Sequence, residues 1–252
     1  MCRHLGYLGP VTTLAELVLE PEHSLLEQSF APRDMRGAGT LNADGFGVGW
    51  YRPDGSGPAR YRAAVPMWTD GSFRDVAAEV VSPAVVAAVR SATAGMPVGA
   101  GACAPFSDGT WLFSHNGRVT GWPESLAKAA ARLEVVDLLT LEAPTDSAVL
   151  WALLRQRLGE GVAAERAVAE LLGEVVAAAP GSRMNLLLTD GARLVATTWT
   201  HALWVRRTDE SVVVASEPFG PADGWVEIPD RSLMVADTGR VDVTALAEVW
   251  QP

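Results

Sequence analysis

Apolar and polar positions along the chain follow two periods. Near the N-terminus, Leu5-Gly6-Tyr7-Leu8-Gly9 is small and apolar and suits a short buried strand. Helical spacing follows at Leu14 to Leu19 and at Ser24 to Phe30. Asp44 to Tyr51 then alternates glycine with apolar residues. Facing Ala59 to Ala64 across the turn Pro53-Asp54-Gly55-Ser56-Gly57, it predicts a β-hairpin whose glycines permit a close approach. Phe73 to Val80 has helical spacing, and the Val- and Ala-rich run Ala84 to Arg90 reads as a strand buried on both faces.

Trp111 to His115 predicts a further strand that ends in Asn116-Gly117, followed by a helix from Pro123 to Leu133 with Pro123 and Glu124 in its first turn. Thr145 is a plausible N-cap for a long helix from Asp146 to Leu158, and a second long helix from about Ala163 to Ala179 stops at Pro180-Gly181. Beyond Arg183 the pattern returns to short strands at Met184 to Leu188, Leu194 to Trp199, Ala202 to Arg206, Val212 to Ser216 and Leu233 to Ala236. Turns at Asp190-Gly191 and Asp209-Glu210 separate some of them. Strands at both ends with long helices between them predict an α+β layered fold, sheets packed together and helices outside. No linker, repeat or low-complexity segment divides the chain, so one domain over residues 1–252 is expected.

Composition narrows the function classes. Thirty acidic against twenty basic residues give a net charge of −10, which disfavours nucleic acid as a partner. The longest nearly uncharged apolar runs, Val80 to Val89 and Met184 to Leu188, are far short of the ~18 residues that span a bilayer, so no membrane association is expected. The opening M-C-R-H-L-G-Y-L-G-P has neither the apolar core nor the cleavage site of a secretion signal, which points to the cytoplasm. Cys2 and Cys103 are not expected to pair there. His4, His23, His115 and His201 show no metal-ligand spacing, so no metal is expected.

Four features carry chemistry. With Met1 trimmed, Cys2 owns both a thiol and an α-amine of pKa about 7.7–8.0, so one residue supplies nucleophile and base. A cysteine in this place is equally an inert small residue. Asn116-Gly117 after a strand offers a side-chain amide and a backbone N–H to an oxyanion, though Asn-Gly is also the strongest short hairpin-turn signal. Arg90 at the end of an apolar strand could grip a carboxylate with its planar fork, or simply be a solvated strand-end charge. Asp146 at a helix start could pair with an ammonium, or only favour the helix dipole.

Taken in order, Cys2 after Met1, Arg90 in V-R-S-A-T-A-G, Asn116-Gly117 in F-S-H-N-G and Asp146 in P-T-D-S resemble the class-II glutamine amidotransferase domain. That resemblance implies a four-layer αββα Ntn-hydrolase sandwich of two mainly antiparallel sheets flanked by helices. It also implies roles: Cys2 as nucleophile, Asn116 and Gly117 as the oxyanion hole, and Arg90 and Asp146 as holders of the substrate's α-carboxylate and α-ammonium. Thr93 would assist binding, and no metal or organic cofactor is needed. M-C-R-H-L-G-Y-L-G-P, N-A-D-G-F-G-V-G-W-Y and W-L-F-S-H-N-G-R look most like the stand-alone branch that removes glutamate in ergothioneine biosynthesis, which hydrolyses the amide of γ-glutamyl-hercynylcysteine sulfoxide. A trimethylammonium on such a small-molecule substrate would give Trp50, Trp68 or Trp122 a cation–π role, although core packing is each one's ordinary use. Two alternatives stay open at this point: a glutaminase subunit feeding ammonia to a separate synthase, and a non-catalytic binding protein of the same fold. A homo-oligomer is compatible with the sequence.

Overall fold

The computed structural model describes residues 2–34 and 41–251. Its strands in chain order are β1 (Arg3–Thr13), β2 (Phe46–Tyr51), β3 (Pro58–Ala63), β4 (Val81–Val89), β5 (Phe106–Ser107), β6 (Leu112–Arg118), β7 (Arg183–Thr189), β8 (Leu194–Thr197), β9 (Trp204–Arg207), β10 (Val212–Ala215), β11 (Trp225–Glu227), β12 (Ser232–Ala236) and β13 (Val241–Ala245). Its α-helices are α1 (Leu14–Val18), α2 (Leu25–Gln28), α3 (Gly71–Glu79), α4 (Ala127–Ala130), α5 (Val135–Leu139), α6 (Asp146–Gly159), α7 (Ala164–Ala178) and α8 (Leu246–Val249). One sheet runs β11-β9-β10-β1-β4-β2-β3 and the other β13-β12-β8-β7-β6-β5, with antiparallel pairing throughout.

The period of two along each strand sorts side chains into three cores. Leu8, Ala84, Val86, Leu112, Leu187, Val212 and Val214 point between the sheets. Their neighbours Tyr7, Val85, Ala87 and Val213 point outward against α1, α2 and α3. On the other side Phe113, Leu186 and Leu188 point outward against α6 and α7. Both faces are therefore buried, which is why Ala84 to Val89 reads as an unbroken apolar run. The layering is helix, sheet, sheet, helix, as the resemblance implies.

Several elements differ from the sequence expectation. β1 is eleven residues long, because its pairing with β4 passes through an irregularity between Leu8 and Thr12 and continues to Thr13. Asn116-Gly117 is not a turn: both residues lie inside β6, opposite Asn185 and Met184 of β7. The helix expected from Pro123 to Leu133 is broken into a 3-10 turn at Glu124–Leu126 and the short α4. The strands β11 and β13 and the helices α5 and α8 were not expected; each is short and mostly exposed, so it leaves little periodic signal.

Candidate active site

Cys2 stands one residue before β1, and its thiol lies 3.6 Å from the carbonyl of Ser91 in the loop after β4. It lines a cavity of about 30 Å³ with Arg90, His115, Ser147, Ala88 and Phe106 among its walls. Arg90 follows β4, where its main chain exchanges hydrogen bonds with the segment leading into β2: its N–H donates to Gly45 at 2.8 Å and its carbonyl accepts from Asp44 N–H at 3.0 Å. The Asp44 carboxylate accepts from Ala92 N–H at 2.7 Å. The Arg90 side chain keeps Nη1 buried with no hydrogen-bond partner among the described residues. Met1, whose removal the sequence reading requires, lies outside the described residues.

Thr93 and Asp146 line a second cavity of about 380 Å³ together with Met96, Arg118, Trp122 and Pro144. Asp146 begins α6 because Thr145 caps it, Thr145 Oγ1 accepting from Ala148 N–H at 3.2 Å. The Asp146 carboxylate then accepts from Val119 N–H at 2.9 Å and Ser147 N–H at 2.7 Å, which ties the end of β6 to the start of α6. His115 adds a second tie. Its Nε2 is 3.0 Å from the Arg183 carbonyl, which can only accept, and its Nδ1 is 2.9 Å from Ser147 Oγ. The sequence-predicted residues are thus divided: Cys2 and Arg90 line the smaller cavity, Thr93 and Asp146 the larger, and Asn116 and Gly117 neither; Ser147 of the smaller cavity follows Asp146 in the chain.

Asn116 belongs to the row of β6 that points between the sheets, after Leu112 and Ser114. At this end the inner faces turn from apolar to polar: His4 Nδ1 meets Ser114 Oγ at 3.2 Å, and Asn116 Nδ2 donates to Ser216 Oγ at 3.3 Å. Asn116 Oδ1 is buried without a partner among the described residues. Gly117 is required by a close approach, since a Cβ there would fall 1.8 Å from the Arg183 carbonyl oxygen.

A buried ion group holds the strand that carries Cys2. Glu217, 2% exposed, accepts from Arg3 Nη2 at 2.7 Å, His23 Nε2 at 2.5 Å, Arg33 N–H at 2.9 Å and Asp34 N–H at 3.0 Å. Burial pushes its carboxyl up, but the His23 hydrogen bond, the Arg3 charge and the two backbone donors outweigh that and hold it below the ordinary value. Burial lowers His4 to about 3, helped by the nearby His115 and His201. Burial also lowers His201 to about 4, with Arg183 and His115 adding to it. Both rings are therefore neutral near pH 7. Burial pushes the Cys103 thiol up to about 11, and it is a free, buried cysteine like any packing residue.

Of the three tryptophans, Trp122 borders the larger cavity. Trp50 packs on the outer core of the first sheet and Trp68 meets Phe30 edge-on. Arg3, Ser114, Glu217 and Ser216 are not among the sequence-predicted site residues. For Ser114 and Ser216 the signal available was a polar residue where the inward row called for an apolar one; Arg3 is on the outward row with Leu5 and Tyr7, and Glu217 lies past the end of β10. Among the described residues no group of three or more His, Cys, Asp and Glu is arranged to hold a metal ion, and no helix is long and apolar enough to cross a membrane.

A family model described as glutamine amidotransferases class-II matches residues 22–209, a span that includes Arg90, Asn116 and Asp146 but not Cys2. The chain is 42% identical to the γ-glutamyl-hercynylcysteine sulfoxide hydrolase of Mycobacterium tuberculosis over all of both chains. It is 44% identical to the protein of the same name from Mycolicibacterium smegmatis, over 98% of this chain and 100% of that one. Among solved structures it resembles a glutamine aminotransferase class-II domain protein from Silicibacter pomeroyi, with a TM-score of 0.66 at 24% identity, covering 97% of this chain and 99% of that one. That last likeness shows the fold.

Proposed function

The chain belongs to the class-II glutamine amidotransferase family and is an amidohydrolase of γ-glutamyl amides, and from that premise we propose that its substrate is γ-glutamyl-hercynylcysteine sulfoxide. The products are glutamate and hercynylcysteine sulfoxide. The observation that carries the choice of substrate is the end-to-end match to two relatives bearing that activity in their names, whose lengths this chain covers completely.

The geometry supports a mechanism for it. Arg90, which lines the same cavity as Cys2 and has a buried Nη1 without a partner among the described residues, suits the substrate's α-carboxylate. Asp146 suits the α-ammonium: its Oδ2 takes only Val119 N–H and keeps a lone pair free, while Oδ1 accepts from Ser147 N–H and Ser147 Oγ. Held at both charges, the glutamyl group presents its γ-carbonyl to Cys2. The thiol adds to that carbon and gives its proton to the Cys2 α-amine. The new oxyanion lies between Asn116 Nδ2 and Gly117 N–H. The amide C–N bond breaks as the ammonium returns the proton to the leaving nitrogen. Water then attacks the glutamyl thioester, with the same amine taking its proton, and releases glutamate.

Incubation of the full chain with γ-glutamyl-hercynylcysteine sulfoxide and with glutamine tests the reading. A kcat/KM at least about tenfold higher for the sulfoxide, about 1.4 kcal/mol in transition-state binding, is expected. Preferential release of ammonia from glutamine would instead make the chain a glutaminase.

A further inference from the structure

One hydroxyl stands where the two sheets exchange their only polar inner-row contact to Asn116 among the hydrogen bonds described. Ser216 follows β10, is 2% exposed, and lies beside the main chain of His4, two residues from Cys2. A serine hydroxyl has one proton and two lone pairs. His4 carbonyl, 3.3 Å away, can only accept and so takes the proton. His4 N–H at 3.0 Å and Asn116 Nδ2 at 3.3 Å can only donate and so take the lone pairs. Every bonding position of the hydroxyl is filled.

We infer that Ser216 is a positioning residue for the oxyanion site, fixing which edge of the Asn116 amide is the donor and how far it stands from the strand that carries Cys2. The inference rests on the roles proposed above for Cys2 and Asn116. With its proton committed to His4, Ser216 offers only a lone pair to Asn116. A reversed amide would set Oδ1 against that lone pair, so Nδ2 must face Ser216, and Oδ1 is left without a partner, as observed. The amide plane is thereby set, and the second Nδ2–H has a defined direction for a developing oxyanion. The same hydroxyl grips both main-chain polar groups of His4, so the nucleophile's strand in one sheet and the donor in the other share a single anchor. Ser216 N–H also donates to the His4 carbonyl at 3.0 Å, so this main-chain bond does not depend on the hydroxyl.

The test uses Ser216→Ala, Asn116→Ala and the double variant of the full chain, with hydrolysis of the γ-glutamyl substrate and alkylation of Cys2 by iodoacetamide as separate readouts. Alkylation displaces iodide from a saturated carbon and forms no oxyanion. Asn116→Ala is expected to lower kcat by about 10²–10³. Ser216→Ala is expected to lower it about tenfold or more, with KM and the alkylation rate each within about threefold of the parent. In the Asn116→Ala background the same change should cost less than about twofold, because the group it positions is gone. Normal turnover by Asn116→Ala would overturn the reading of the site itself. An impaired Asn116→Ala beside a normal Ser216→Ala, or two losses that simply multiply, would overturn the positioning role alone. Alkylation falling in step with hydrolysis, as misfolding would also produce, would overturn it as well.

Discussion

Glu217 sits at the base of the strand that carries Cys2, where its two oxygens collect Arg3, His23 and two backbone donors. Changing Glu217→Gln removes the counter-charge of an Arg3 that is itself 2% exposed. Breaking a buried pair from one side costs about 3–5 kcal/mol, so a fall in Tm on the order of 10 °C is expected by calorimetry at pH 7. The folded carboxyl lies below the unfolded value of about 4.5, so its contribution is complete above that pH and is lost as pH falls toward the folded value. The difference between parent and variant should therefore shrink in acid. Arg90 makes a different demand. It lines the Cys2 cavity with its Nη1 unpartnered among the described residues, and an ammonium cannot reproduce the guanidinium fork, so Arg90→Lys should raise KM about tenfold or more for the γ-glutamyl substrate. Unchanged kinetics would remove the carboxylate clamp.

At the level of elements, the start of α6 shows how a cap becomes part of a site. Thr145 Oγ1 holds Ala148 N–H, and the turn so formed presents Asp146 to Val119 and to the larger cavity. Thr145→Ala should cost about 1 kcal/mol and roughly 2–4 °C in Tm, while Thr145→Ser, which keeps the oxygen, should cost much less. Equal losses in the two variants would show that the cap is not what holds the turn. This start was legible in the sequence because a cap, an acid and a long apolar period coincide in P-T-D-S and the residues after it. The buried strand before Arg90 was legible for the same kind of reason. Asn116-Gly117 was harder: local turn chemistry and a place in β6 compete, and pairing with Asn185 and Met184, far away in the chain, decides the outcome. His4, Ser114 and Ser216 gave only a weak signal, a polar residue on an inward row, and what each one meets is set when the two sheets are brought face to face.

Across the whole molecule, an apolar inter-sheet core gives way at one end to a buried polar layer that contains two neutral histidines. His4 and His201 titrate near 3 and 4 when folded but near 6.5 when unfolded, because burial disfavours their charged forms. The unfolded chain therefore binds more protons between these limits, and stability is full above about pH 6.5 and declines as pH falls through the window toward 4. His201→Gln should flatten the fall of Tm across that window, and an unaltered slope would place the acid sensitivity elsewhere. This polar layer includes His4 of β1, two residues from Cys2, so the proposed reaction centre and the acid-labile part of the fold share one strand. The central claim is that the first residue after the initiator methionine becomes acylated during turnover. Rapid acid quench of the enzyme with a γ-glutamyl substrate, followed by peptide mass spectrometry, tests it most directly. The account predicts an N-terminal peptide that begins at Cys2 and carries one glutamyl group as a thioester, absent from Cys2→Ala. Steady turnover with Met1 still in place and no adduct on Cys2 would contradict it.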